Sequence, residues 1–151
     1  VENKFIPHPI QIESVDVVEL YIKMNEPAYK DLVVNLNQMS FTVARTEYDI
    51  ENKVIMVGLI CELEDTEEIS LPFNLRVELF GIFSVNEEKF DIPNINDWAE
   101  RNAPFILYPY LREQIYSLTM RCGISPINIP LVEVPTFKKK CRRIRRIMTD
   151  K

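Results

Sequence analysis

The clearest pattern in the chain is the strict alternation over residues 69–84. Leu71, Phe73, Leu75, Val77 and Leu79 fall on one parity, and Asn74, Arg76 and Glu78 on the other. A period of two predicts a strand with one face against a core. Residues 10–24 are rich in Val, Ile and Tyr, but their alternation slips. Ile12, Val18, Leu20, Ile22 and Met24 share one parity while Val15 and Val17 take the other, which predicts a long strand bulged near Asp16. Residues 54–63 are apolar on both parities, as in a strand covered on both faces. Another strand is expected at about 39–50, after an irregular link over 28–38 that holds Tyr29, Leu32 and Leu36. Asp49 to Lys53 and Glu64 to Glu68 are short polar turns, so the strands they join are antiparallel neighbours.

The period changes further along. Asn94 or Asn96 can cap a short helix through Trp98 and Arg101. Pro104 suits the first turn of the next helix, where its missing N–H is harmless. Pro109 removes a backbone donor one turn later, which predicts a kink or a broken start there. Tyr108, Leu111, Ile115 and Leu118 recur at helical spacing and define one face. Gly123 suits the left-handed position that closes a helix. Pro126, Pro130 and Pro135 keep the next stretch extended, and a final helix is expected from about Thr136, with Phe137, Cys141, Ile144 and Met148 on one side. Strands followed by helices give the α+β class. The expected architecture is a four-stranded antiparallel sheet carrying a long kinked helix and a C-terminal helix on one face.

Charge divides the chain. Residues 1–137 hold 10 Lys and Arg against 22 Asp and Glu, whereas residues 138–151 hold 8 against 1. The natural division is a globular domain over 1–137 and a basic helix or tail over 138–151. An acidic body suits cationic partners and repels nucleic acid. The tail offers salt-sensitive attraction to phosphates or an acidic surface, and an amphipathic basic helix on a membrane surface is a variant of that idea. No aromatic follows Phe137, so the stacking platform of a single-strand binder is missing.

Candidate chemistry is sparse. Cys61, Cys122 and Cys141 are far apart, odd in number and without a C-x-x-C pair, which argues against a disulfide framework or a metal site. His8 is the sole histidine and lies between prolines. Tyr110, Arg112 and Glu113 are close in sequence, but Arg112 and Glu113 are adjacent and point to different faces. No phosphate loop, metal spacing or nucleophile elbow occurs. The chain is therefore expected to be no enzyme and to need no cofactor or metal. No run of about 18 apolar residues exists, so no membrane-spanning helix is expected. The first residues lack a signal-peptide apolar region, and the chain reads as cytoplasmic.

Two stretches carry a family resemblance. Gly81-Ile82-Phe83-Ser84 closes the alternating strand, and Pro104 leads through Tyr110-x-Arg112-Glu113, close to a P-N-I-L-F-P-Y-A-R-E pattern. Ser117, Leu118, Arg121, Asn128-Ile129 and Val132 continue the match, with a weaker one over Gln11 to Lys23. The order of these pieces resembles SecB, the protein-export and translocation chaperone that binds unfolded polypeptides. The resemblance implies an ATP-independent holdase and a cytoplasmic homotetramer built as a dimer of dimers. It places helix 104–122 at a subunit interface, with Tyr108, Leu111, Ile115 and Leu118 in the contact. It also implies apolar client grooves, lined by position with Tyr29, Leu32, Leu36, Met39, Phe41, Phe83, Val134 and Phe137. SecB proteins dock on the SecA motor through an acidic sheet face. Here Glu19 keeps an acid, while Lys23 and Arg76 stand where acids are expected and Asn74 where an apolar residue is. A SecB-like chaperone dedicated to one client, such as an antitoxin, is the alternative that these departures suggest, and a binder acting through the basic tail is another.

Overall fold

The computed structural model describes residues 4–25, 34–133 and 138–143. Strands β1 (Ile10–Met24), β2 (Ser40–Arg45), β3 (Val54–Leu63) and β4 (Phe73–Val85) make an antiparallel sheet in the order β1-β4-β3-β2. The broken alternation of β1 has a direct cause. Its register against β4 slips twice, between Ile12 and Ser14 and between Val17 and Glu19. Each bulge adds one residue and reverses the parity. Ile10 and Ile12, then Val15 and Val17, then Leu20, Ile22 and Met24 are thereby returned to one side of the sheet.

Helices α1 (Ile95–Arg101) and α2 (Ala103–Arg121) cover that side. The core lies between them: Phe73, Leu75, Leu79 and Phe83 of β4, Ile55, Leu59 and Leu63 of β3, and Leu107, Leu111 and Ile115 of α2 are fully buried. Gly81 sets how closely helix and sheet approach. A Cβ placed there would lie 2.7 Å from a Leu107 methyl and 2.8 Å from the Phe83 ring. Asn94 stands at the N-cap of α1, as expected, but its side chain donates to Asp91 at 2.9 Å instead of capping the helix. The break in the helical segment falls at Asn102, between α1 and α2, and α2 bends but continues through Pro109. Gly123 has φ +75° and follows α2, as its position in the sequence predicts.

The extended stretch after α2 is bound back onto it. The buried Tyr108 hydroxyl donates to the carbonyl of Pro130. Arg112 donates from Nε to the Ile129 carbonyl at 2.7 Å and from Nη2 to Asn128 Oδ1 at 2.9 Å. Thr119 Oγ1 donates to the Ile115 carbonyl at 2.8 Å and accepts the Ile127 N–H at 3.0 Å. The two motif stretches, Tyr110-x-Arg112 and Asn128-Ile129, are thus partners in space. Arg112→Ala is expected to cost about 1.5–3 kcal/mol, the usual range for hydrogen bonds made by a charged group. Arg112→Lys should recover less than half of it, because an ammonium lacks the guanidinium fork. Urea midpoints of the three proteins measure both values.

One expected element is corrected. Lys138–Arg143 is a strand, β5, paired parallel to the outer edge of β2. The helix expected from Thr136 is therefore not what residues 138–143 form, and residues 134–137 and 144–151 lie outside those described.

Candidate functional site

Of the eight residues expected to line a client groove, Tyr29, Leu32, Val134 and Phe137 lie outside the described residues. Leu36 opens a single 3-10 turn, Leu36–Gln38, just before β2. The remaining three are packed inside the protomer. Phe83 is fully buried and meets Trp98 edge-to-face, with ring centroids 5.2 Å apart. Its place on β4 shares the parity of Leu75 and Leu79, so the pleat turns it toward the helices, and it is core. Phe41 is nearly buried, with its ring edge-on to Tyr108 at 6.0 Å, and Met39 lies at the same end of the core. Both sit at the β2 end of the sheet, beside the link that precedes it.

The expected subunit-contact residues are also relocated. Tyr108, Leu111 and Ile115 are buried within the protomer, and Leu118 packs against the same core. The helical face they define is occupied by the chain's own sheet. The outer face of α2 is different and still apolar: Ile106, Tyr110, Tyr116 and Met120 are 39–52% exposed. The band continues onto β1. Tyr110 and Gln114 share a cleft of ≈ 420 Å³ with Ile12, Glu13, Ser14, Val15, Val17 and Leu79, and Val17 and Leu20 of β1 are exposed. Glu113, which accepts from Gln114 and Ser117, lies among these residues, and exposed apolar side chains around it make this face a candidate interaction site. The periodicity at Tyr108 masked it, because Pro109, Glu113 and Ser117 interrupt the outer face in sequence.

The opposite side of the sheet carries charge. Arg76 on β4 is held by three carboxylates from three strands: Glu19 of β1 at 2.7 Å, Glu78 of β4 at 2.6 Å, and Glu62 of β3. Burial pushes the guanidinium pKa down, and the Glu78 and Glu19 carboxylates outweigh that and leave it raised. Glu19, the acid placed for motor docking, is therefore engaged inside the protomer. Lys23 stands across from Asn74 on the same pair of strands. Arg76→Met should leave three like charges facing one another. A loss of about 1–2 kcal/mol is expected for these partly exposed groups, partly recovered at about 1 M salt, where the screening length shrinks to about 3 Å. Thermal melts at low and high salt check this.

Other chemistry is quiet. Burial pushes the Cys61 thiol up to about 12, which makes it an inert core side chain. His8 accepts the Ile10 N–H at 3.0 Å and stacks on Trp98, serving the entry into β1. Among the described residues no cluster of His, Cys, Asp or Glu could hold a metal, and no helix is long and apolar enough to cross a membrane.

Comparison with known proteins finds the following likenesses. The family model described as preprotein translocase subunit SecB matches residues 10–139. An uncharacterized protein of Methanocaldococcus jannaschii is 30% identical over 128 residues, covering 85% of this chain and 81% of its own length. The protein-export protein SecB of Anaplasma phagocytophilum is 22% identical over 134 residues, covering 87% and 85%. Among solved structures, a SecB-like chaperone of Mycobacterium tuberculosis, in complex with a ChAD peptide from an antitoxin, is similar with a TM-score of 0.67 at 19% identity. That likeness covers 83% of this chain and 91% of the other.

Proposed function

The chain belongs to the SecB family, and from that premise we propose that it is an ATP-independent holdase that captures unfolded or non-native polypeptides in the cytoplasm. The family is one of chaperones and not of enzymes. The observation that carries the reading is the family match over residues 10–139, on a fold like that of a chaperone solved with a peptide bound. The client surface lies at the β2 end of the sheet. By family position Tyr29, Leu32, Leu36, Val134 and Phe137 are the proposed client-binding residues, and Met39 and Phe41 are the ones buried at that end of the core. Apolar burial holds a client there at roughly 25 cal/mol per Å² without demanding a sequence.

The working form is a homotetramer, a dimer of dimers. Its contacts use the outer face of α2, with Ile106, Tyr110, Tyr116 and Met120, and the neighbouring edge of β1. This band is apolar surface that the protomer's own core leaves uncovered. A dedicated client fits better than general export. A SecA-type motor would meet Arg76 at the centre of the face it is expected to grip, and Glu19 is already paired with that arginine. A cation in place of an acid opposes a charge-steered contact.

The test is capture of reduced, carboxymethylated α-lactalbumin, which stays unfolded without denaturant. Light scattering on the mixture should show one unfolded chain held per tetramer, insensitive to salt and ATP. A protein that stays a single subunit and leaves the unfolded chain free overturns the reading.

A further inference from the structure

The pairing of β5 with β2 joins two features that the holdase reading leaves unused, the basic tail and the sheet edge. Without β5, the outer side of β2 would present a row of unpaired backbone N–H and C=O groups. Such an edge accepts an extended peptide as an additional strand, through main-chain bonds that are blind to sequence. An unfolded client offers that chemistry. The edge also lies beside Phe41 and Met39, at the end of the core where the client surface is placed.

The strand that covers this edge is a poor one. Five of its six residues, Lys138, Lys139, Lys140, Arg142 and Arg143, are cationic. Same-sign charges two residues apart on a strand lie about 7 Å from each other, inside the screening length of about 8–10 Å at physiological salt. Lys is depleted in strands for lack of packing. The pairing is parallel, which is less stable per residue than antiparallel, whereas β2 pairs antiparallel with β3 on its other side. Its register also breaks: Val43 and Arg45 of β2 are partnered by Lys139 and Arg143, so a step of two residues along β2 is matched by a step of four along β5. Arg45 and Arg143 are register partners of like charge.

We propose that β5 is a built-in competitor for the client: it occupies the β2 edge in the empty chaperone and is displaced by an extended client segment that adds to β2 in its place. The inference rests on the holdase reading and deepens it. The cationic composition suits the task, because it keeps the cover soluble when displaced and weak when docked. The acidic body, with 22 Asp and Glu in residues 1–137, attracts the strand back once the client leaves.

The experiment uses the full-length chain. Lys139→Pro combined with Arg142→Pro removes two backbone donors from β5 and leaves β2 untouched. A fluorescent peptide of alternating valine and serine and carboxymethylated α-lactalbumin are the probes, read by anisotropy. If β5 leaves the edge open about one part in five of the time, the variant should bind the peptide about fivefold tighter. Amide exchange on the unaltered protein keeps the test independent of any effect on folding. With saturating peptide, the amides of 138–143 should lose protection while those of 40–45 keep it. Unchanged or weaker affinity in the variant, or β5 amides that stay protected in the complex, make β5 a permanent edge guard and overturn the proposal. Should α-lactalbumin bind while β5 fails to respond, the proposal alone falls. If neither probe binds to either protein, the holdase reading falls with it.

Discussion

Tyr110→Glu combined with Met120→Glu is expected to split the proposed assembly into single subunits that remain folded. Both side chains are exposed on the outer face of α2, so the protomer loses nothing it uses for its own core. In a subunit contact each would forfeit about 1.5–3 kcal/mol of burial, and a carboxylate left unpaired in an apolar contact costs several kcal/mol more. At about 1.4 kcal/mol per tenfold in affinity, a weakening of about a thousandfold or more follows. Sedimentation at micromolar concentration should show the mass falling to that of one chain while the circular dichroism melt stays cooperative. A double variant that keeps the parental mass removes this face from the interface. A parent that is already a single chain removes the assembly altogether.

The sheet could be read from the sequence because each strand carries its own record of burial. The alternation of Leu71 to Leu79 gave β4, and the slipped parity of Ile12, Val15 and Leu20 gave β1 with its bulging. The polar turns at Asp49 and Glu64 gave the antiparallel neighbours. What could not be read was β5. Phe137, Cys141, Ile144 and Met148 recur at helical spacing, and Lys and Arg are good helix formers. The local pattern therefore pointed to a helix, while the observed strand exists through pairing with β2, about a hundred residues earlier in the chain. Propensity is a weak prior against such non-local pairing. Pro109 teaches a similar lesson. It lies on the exposed side of α2, where the helix can bend without breaking, and the break moved to Asn102.

The candidate site was less legible than the fold. Helical spacing at Tyr108, Leu111, Ile115 and Leu118 revealed an apolar face but not which surface covers it. The chain's own sheet does. Phe83 is the sharper case: family position placed it in a groove, whereas it shares the parity of Leu75 and Leu79 and is fully buried with them. The charged face depends on register. Parity put Arg76 on the side opposite the helices, but its engagement with Glu19 and Glu62 follows from the alignment of β1 and β3 on either side of β4, which no local pattern encodes.

Leu111→Ala separates the two faces of α2 from the opposite direction. Leu111 is fully buried between helix and sheet, and removing a buried leucine side chain costs about 2–5 kcal/mol, depending on how far the cavity collapses. In a chain of this length each kcal/mol shifts the melting temperature by about 2–4 °C, so a drop of roughly 4–20 °C is expected. Collapse should be limited, because Tyr108 and Arg112 pin the same stretch of α2 to the segment at 128–130, and that favours the upper part of the range. Below its melting temperature the variant should keep the parent's mass and its capacity for unfolded chains, since the outer residues Tyr110 and Met120 are unchanged. The reverse outcome, a loss under about 1 kcal/mol accompanied by dissociation, would return Leu111 to the subunit contact. The helix would then have to turn its Tyr108 face away from the sheet, and Gly81 would lose its reason to be a glycine.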